Sequence, residues 1–369
     1  MANLTLGVEE ELMLIDPDTL ELSNKTESFH EEAGAIHGEN LKAEFHAACV
    51  EIVTDVCGTV DQVFEDLSRH RSDVLKLAAK HNLLVGAAGT HPSTHWKDVS
   101  LTEGKRYGEI LHRLQDIARA NLIYGMHCHV GIDDPEARIQ VMNAARYFLP
   151  HLLALSCSSP LWQGKVTGHR SIRSHIFKRF PRTGVPDYYA DYEEYRRFVD
   201  LLVKTNCIDN AKMIYWDIRP HPFFDTVEFR ICDTPTKVEE TAAIAALLQA
   251  IVHKLLNLYE NNLGHRLYRR ALIAENVYRA ARWGLDGNLI DFQRAKEIPT
   301  RDAIRDLCAF LKDDFEALGS QKWVAVIEGI LENGNSAQRQ LARLESTGDT
   351  KATIQGIIEE TSSGFSDRS

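Results

Sequence analysis

Four short stretches of the chain carry side chains whose types and spacing could do chemistry. In Gly7-Val8-Glu9-Glu10-Glu11, read as a strand, Glu9 and Glu11 point to one face and Glu10 to the other. Two like charges about 7 Å apart on one sheet face repel each other unless a cation neutralises them. In Gly125-Met126-His127-Cys128-His129-Val130-Gly131, His127 and His129 share a face for the same reason, and such a pair can bind metal or contact phosphate. In Thr226-Val227-Glu228-Phe229-Arg230, Glu228 and Arg230 share a face while Val227, Phe229 and Ile231 turn to a core. In AEFHAACVEIV, the spacing of Glu44 and Glu51 puts them on opposite faces of a regular strand, so they converge only where a bulge or turn intervenes. Glu51 lies between Val50 and Ile52, where a buried unpaired carboxylate would be costly, and is the better candidate of the two.

Each signal taken alone has a plain alternative. Glu9 and Glu11 suit a solvent-facing acidic edge. His127 and His129 suit imidazoles satisfied by neighbouring groups, and Glu228 with Arg230 suits an ion pair on a sheet. Three strands with same-face pairs are harder to dismiss together. There is no GxxxxGK[ST], no GxGxxG after a strand and no GxSxG. Any nucleotide chemistry must therefore use another scaffold. A sheet presenting several carboxylates, a histidine and an arginine could hold divalent ions under a triphosphate, with the arginine stabilising charge during transfer.

The elements that must position these residues mix strand and helix in the first half. LTLGVEEELMLI reads as a strand ended by Asp16-Pro17, and AEFHAACVEIVTDV as a second extended segment. Thr59 opens a helix with Gln62 as capping-box partner and an apolar stripe of Val60, Val63, Phe64, Leu67, Val74, Leu75 and Ala78. LLVGAAG is a short buried strand, a helix covers Arg106 to Ala120, LIYGMHCHVGI is a strand, and Pro135 starts a helix reaching about Ser156. The stretch from Pro160 to Pro186 mixes glycine, proline and basic residues without a period, which reads as a long functional loop or lid. A helix over Tyr192–Lys204 precedes the strands MIYWDIRPH and TVEFRICDTP. From Lys237 the pattern is helical. AAIAALLQAIVHKLLNLY is apolar enough to pack on a sheet face, helices follow near 267–283, 302–318, 322–331 and 336–344, and the tail TSSGFSDRS is expected to be disordered. The order predicts an α+β fold, an antiparallel sheet with helices packed on one face, within one domain over 1–369 whose helical C-terminal part spans about 237–360.

Composition narrows the function classes. The net charge of −11 argues against nucleic acid as a partner. Seven scattered cysteines without a CxxC pair suit reduced, buried thiols. The start MANLTLGVEEEL lacks the pattern of a secretory leader, and LLALSCSSPLW is too short and polar to span a bilayer, so a cytoplasmic protein with no membrane partner is expected.

The blocks GVEEEL, AEFHAACVEIVTDVC, GAAGTHP, GMHCHVG, SPLWQG, WDIRPHP and TVEFRICDTP stand in the order seen in the glutamate–cysteine ligase type 2 family, so the chain from about residue 4 to 285 resembles these carboxylate–amine ligases related to glutamine synthetase. The C-terminal helices resemble the family in type alone. The resemblance implies antiparallel strands lining a funnel-like active site with helices outside. It also implies small-molecule carboxylate and amine substrates, ATP with Mg²⁺ or Mn²⁺, and an acyl-phosphate intermediate, with a homodimer compatible. It assigns Glu9, Glu11, Glu44, Glu51, His127 and Glu228 to metal. It assigns Arg230, Arg173 and His127 to catalysis, and Ser171, Arg173, Arg219, His129 and Arg230 to substrate or ATP. Two other readings of the same sheet are a phosphoguanidino-type kinase and a non-catalytic metal- or nucleotide-binding regulator.

Overall fold

Alternation along LGVEEELMLI sends Leu6, Val8, Glu10, Leu12 and Leu14 into the interior, all at most 1% exposed, and leaves Glu9 and Glu11 half-buried on the opposite face. The computed structural model describes residues 4–365, apart from the side chain at position 106. Its strands, in chain order, are β1 (Leu6–Ile15), β2 (Leu41–Ala43), β3 (Cys49–Val53), β4 (Leu84–Gly86), β5 (Gly125–Gly131), β6 (Leu161–Trp162), β7 (Lys165–Val166), β8 (Thr183–Gly184), β9 (Tyr215–Trp216), β10 (Ile218–Pro220), β11 (Thr226–Asp233), β12 (Asn288–Asp291) and β13 (Lys296–Pro299). Seven of them form one sheet in the order β10-β11-β5-β1-β3-β2, with β4 paired to the far end of β1. Every pairing within it is antiparallel. The fold is α+β.

One face of this sheet is closed by helices. Val60–Lys80 packs against it and against Val238–Glu260, whose apolar length reflects burial: residues Ala242 to Leu248 are fully enclosed. That helix is long and apolar enough to cross a membrane, yet 78% of its apolar window lies inside the protein. Glu10, the one charge on the core face of β1, is held by Arg71 of helix Val60–Lys80, with Nε donating to Oε2 at 2.8 Å and Nη2 to Oε1 at 2.7 Å. Removing either partner would leave a buried charge uncompensated, at about 3–5 kcal/mol. Thr59 caps the same helix by accepting from the Gln62 amide at 3.2 Å, while the Gln62 side chain bonds Gly58 rather than Thr59.

The structure revises several expectations. AEFHAACVEIVTDV is two strands, β2 ending at Ala43 and β3 beginning at Cys49, and the intervening turn is what brings Glu44 round to Glu51. The helix begun at Pro135 breaks into Pro135–Ala145, a short 3-10 turn and Leu149–Ser156, because Pro150 lacks the N–H that would bond Arg146. The helix expected over Arg106–Ala120 is divided at Gln115, which has a φ of 49°. The stretch from Pro160 to Pro186 is no plain loop. It holds the β6–β7 hairpin, the helix Arg173–Phe177 and β8, which pairs in parallel with β9, and Ser171, Arg173 and Ile176 are buried. Past residue 260 the helices found are Arg270–Trp283, Thr300–Phe310, Lys312–Ala317, Lys322–Asn333, Ser336–Thr347 and Thr350–Ser362, with the β12–β13 hairpin between the first two. The last helix and the hairpin were not foreseen. The tail expected to be disordered is ordered as far as it is described: Thr361 is buried and its Oγ1 accepts from the Ala87 amide at 2.9 Å, and Phe365 packs on the main core. Residues 366–369 of that expectation lie outside the described residues.

Candidate active site

The sheet face turned away from the helices lines a cavity of about 350 Å³. Five carboxylates (Glu9, Glu11, Glu44, Glu51, Glu228) and five cationic side chains (Lys42, Arg173, Lys212, Arg219, Arg230) share its wall. Strand register explains the clustering. Glu9 stands opposite His127, Glu11 opposite Glu51, Glu51 opposite Lys42, and Glu228 between His129 on one side and Arg219 on the other. Residues distant in sequence thus meet because six neighbouring strands present the same face.

The acidic half is built around Glu9. Its Oε2 lies 2.8 Å from His127 Nδ1 and its Oε1 3.5 Å from His129 Nε2. Burial and the nearby Arg230 guanidinium push His127 down to about 4, against the pull of Glu9 and Glu228, so it is a neutral imidazole donating to Glu9. Burial works to raise the Glu9 carboxyl, but the hydrogen bonds from His127 and His129 outweigh it and hold Glu9 well below the usual range. Glu11 behaves oppositely. Burial and the neighbouring Glu44 push it up to about 7, although the Gly125 amide donates to it at 2.6 Å. Burial, with Glu9, Glu44 and Glu11 nearby, also holds Glu51 well above its ordinary value.

Such crowding of carboxylates suits divalent metal, and the donor atoms fit. Glu9, Glu51 and His127 each offer a ligand atom within 4.8 Å of the others, and so do Glu9, His129 and Glu228. Oxygen donors with one imidazole per group suit Mg²⁺ or Mn²⁺. Glu11 and Glu44, also assigned to metal from the sequence, stand beside Glu51 and belong to neither group.

The basic half is built around Glu228. Arg219 Nε donates to Glu228 Oε2 at 2.7 Å and Arg219 Nη2 to Oε1 at 3.2 Å, and Arg230 Nη1 also bonds Oε1. Burial opposes ionisation of Glu228, but the Arg230 and Arg219 charges dominate and hold it far below the normal range. Arg173 lies alongside, its Nη1 donating to Ile231 O at 3.3 Å and its Nη2 to Arg230 O at 3.4 Å. Gly125 makes room for it, since a Cβ there would sit 2.8 Å from the guanidinium carbon. The Nε atoms of Arg173 and Arg230 are buried with no hydrogen-bond partner among the described residues. Donors left so cost about 1–3 kcal/mol each, a cost that a bound anion would remove.

Of the residues expected at the site, Glu9, Glu11, Glu44, Glu51, His127, Arg173, Arg219, Glu228 and Arg230 all line the cavity. His129 stands at its edge against Glu9, with Nδ1 3.0 Å from Thr226 Oγ1. Ser171 does not reach it. Fully buried, Ser171 donates from Oγ to Asp233 Oδ1 at 2.7 Å. The other Asp233 oxygen takes the Ser158 amide at 3.0 Å and Ser159 Oγ at 2.7 Å. Asp233 is therefore the strut that fixes the backbone leading into Arg173. Sequence reading passed it over, though a signal was present: a carboxylate directly after the apolar pair Ile231-Cys232 at the end of the strand. Lys42, Lys212 and Tyr215 were also missed, because nothing local marks a single lysine or tyrosine whose importance lies in what stands across the cavity.

Comparison with known proteins bears on the family and the fold. The family model described as "Glutamate-cysteine ligase family 2(GCS2)" matches residues 5–357, so the C-terminal helices fall within the match. A protein of Solibacter usitatus named "Putative glutamate--cysteine ligase 2" is 47% identical over 364 residues, covering 98% of this chain and 94% of its own. One of the same name from Sorangium cellulosum is 48% identical, covering 98% and 97%. Among solved structures, a glutamate–cysteine ligase of Francisella tularensis in complex with AMP superposes with a TM-score of 0.70 at 14% identity, covering 99% of this chain and 89% of that one. A bifunctional glutathione synthetase of Pasteurella multocida gives 0.71 at 12% identity, covering 99% of this chain and 53% of that one. At these identities the superpositions speak for the fold. With a sheet face, a charge-paired cavity and close relatives over nearly the whole length all pointing one way, the chain belongs to glutamate–cysteine ligase family 2 and is an enzyme of the carboxylate–amine ligase type.

Proposed function

We propose that the cavity binds ATP with Mg²⁺ or Mn²⁺, phosphorylates a substrate carboxylate and joins the resulting acyl phosphate to an amine, with the whole chain acting as one cytoplasmic ligase. The carrying observation is the division of the cavity wall. Carboxylate–imidazole groups at Glu9 share the wall with two arginines, Arg173 and Arg230, whose buried Nε donors have no partner among the described residues. A metal–triphosphate complements both halves at once.

In this reading a carboxylate oxygen of the substrate attacks the γ-phosphorus and ADP leaves. The amine nitrogen then attacks the acyl carbon, phosphate departs, and the amine surrenders a proton. Glu9, Glu51 and His127, and Glu9, His129 and Glu228, would hold the metal, which supplies neutralisation of phosphate charge when bound. Arg230 and Arg173 bind and orient the transferring phosphoryl group, and Arg219 keeps Glu228 and with it Arg230 in place. Little covalent work falls to the protein, so positioning and charge neutralisation carry the reaction. Glutamate and cysteine, the pair in the relatives' printed name, are the first substrates to try.

The test is phosphate and ADP release from ATP across a matrix of amino acids and amines. Release that needs both a carboxylate and an amine, and that stops after exhaustive EDTA treatment, supports the reading. ATP loss with a guanidine alone, or turnover that survives EDTA, overturns it.

A further inference from the structure

On the helix-covered side of the sheet, away from the cavity, three side chains meet that the ligase reaction does not use. His37 is the last residue of helix Glu27–His37. His70 and Asp73 lie three residues apart on helix Val60–Lys80, which places them as neighbours on one face. His37 Nδ1 is 3.9 Å from Asp73 Oδ2, the two imidazole rings meet edge-on with centroids 6.2 Å apart, and one ligand atom from each of the three residues lies within 4.8 Å of the other two.

A second observation stands apart from the clustering. The His70 side chain is only 1% exposed, yet its Nδ1 has no hydrogen-bond partner among the described residues. Its Nε2 is committed elsewhere, 3.6 Å from Asp66 Oδ1 and 3.3 Å from Arg69 Nη2. The nitrogen left for His37 and Asp73 is therefore the unpartnered one. A buried imidazole nitrogen without a partner calls for an explanation, and a bound cation supplies one.

We propose that His37, His70 and Asp73 form a second cation site, distinct from the carboxylate cavity, for a borderline divalent ion of the Zn²⁺ class. The donor set decides the class. Two imidazole nitrogens and one carboxylate oxygen suit Zn²⁺, Co²⁺ or Ni²⁺, whereas Mg²⁺ takes oxygen ligands. Three protein donors leave a fourth position for water. Donors about 2.0–2.1 Å from a tetrahedral ion stand roughly 3.3 Å apart, so the His37–Asp73 separation of 3.9 Å has to close by about 0.6 Å. With the ion on Nδ1, the imidazole proton sits on Nε2, so Arg69 gives up its contact to Nε2 and keeps its bond to Asp66, and Nε2 turns its proton to Asp66, the carboxylate behind the imidazole that such sites commonly have. The ion would tie the end of helix Glu27–His37 to helix Val60–Lys80. From there the chain runs through Gly38–Asn40 directly into β2, which carries Lys42 and leads to Glu44 in the cavity wall.

The experiment uses full-length protein in a large excess of Mg²⁺, which competes with added Zn²⁺ for the cavity. Equilibrium dialysis should show one equivalent of Zn²⁺ retained, and the ¹⁵N resonances of the His37 and His70 rings should shift when it binds. His37→Ala and Asp73→Asn alter partly exposed side chains, and each should weaken that Zn²⁺ equivalent by about ten-fold or more. Both should stay folded and keep their Mg²⁺-dependent turnover. Three results would overturn the site: no Zn²⁺ retained in excess Mg²⁺, equal retention in both variants, or ring shifts at His127 and His129 with none at His37 and His70.

Discussion

Glu11 and Glu51 face each other across the β1–β3 ladder, two carboxylates in register on a buried stretch of the cavity wall. Both cannot ionise there without a cation between or beside them. Burial and Glu44 push Glu11 up to about 7, and burial with Glu9, Glu44 and Glu11 holds Glu51 well above its ordinary value. Metal must therefore displace protons to bind. Mg²⁺ or Mn²⁺ affinity should climb as pH rises through about 7, and calorimetry in buffers of different ionisation enthalpy should report protons released on binding. An affinity that stays flat across that window, with no protons released, would count against a metal beside this pair.

The same pair makes a prediction about stability. A carboxyl whose folded value lies above its unfolded value carries extra protons in the folded state. Its stabilising effect is complete below the unfolded value of 4.5 and is lost as pH rises through about 7. For Glu11 alone the swing is about 3 kcal/mol, at 1.36 kcal/mol for each unit. The metal-free enzyme should thus lose stability from mildly acid to mildly alkaline pH, and the rise in Tm on adding Mg²⁺ should be larger at about pH 8 than at about pH 6. Glu51→Gln removes one of the opposed charges, so its metal-free Tm at the higher pH should rise while the metal-induced increment shrinks. Thermal scans of both proteins with and without metal decide the matter.

What the sequence made legible was whatever depends on a period of two. Glu9 with Glu11, His127 with His129, and Glu228 with Arg230 share faces because neighbouring residues on a strand alternate, and no tertiary information is needed for that. Convergence of those strands is a different matter. The registers that set Glu9 against His127 and Glu51 against Lys42 join segments far apart in the chain, and one residue of slip would turn every side chain to the other face. Glu44 shows the limit clearly. Its distance from Glu51 depends on a turn after Ala43 that leaves no distinctive signal in AEFHAACV. Ser171 shows the opposite failure: a motif placed it near Arg173 correctly, but its hydroxyl turns inward to Asp233 rather than to the cavity.

Arg173 and Gly125 form a testable pair of their own. The side chain of Arg173 lies where a Cβ on residue 125 would be, so Gly125→Ala should displace the guanidinium. If Arg173 orients phosphate, kcat should fall by about ten-fold or more with the protein still folded, in line with the loss of one preorganised donor. In an Arg173→Ala background the collision partner is gone, and adding Gly125→Ala should cost little further activity. Such non-additivity is the signature of contact. Equal losses in both backgrounds would show that Gly125 is needed for the strand itself and not for Arg173.

Glu228 and Arg230 should fail differently when altered, and the structure sharpens how. Glu228 is the shared counter-charge of two buried arginines, so Glu228→Gln strips Arg219 and Arg230 of their compensation together. Breaking a buried ion pair by removing one partner costs about 3–5 kcal/mol, so this variant should lose stability in urea as well as metal and nucleotide affinity. Arg230→Lys keeps the charge but loses the planar fork, and with it the unpartnered Nε. Glu228 would keep its two bonds from Arg219, so stability should change far less. ATP affinity should change little while kcat drops by roughly 10²-fold, the mark of an interaction made in the transition state. Urea midpoints, nucleotide titration and steady-state kinetics on the two variants separate the roles. If Arg230→Lys folds normally and keeps its kcat, Arg230 is only a structural partner of Glu228, and the phosphoryl group must be held by Arg173 instead.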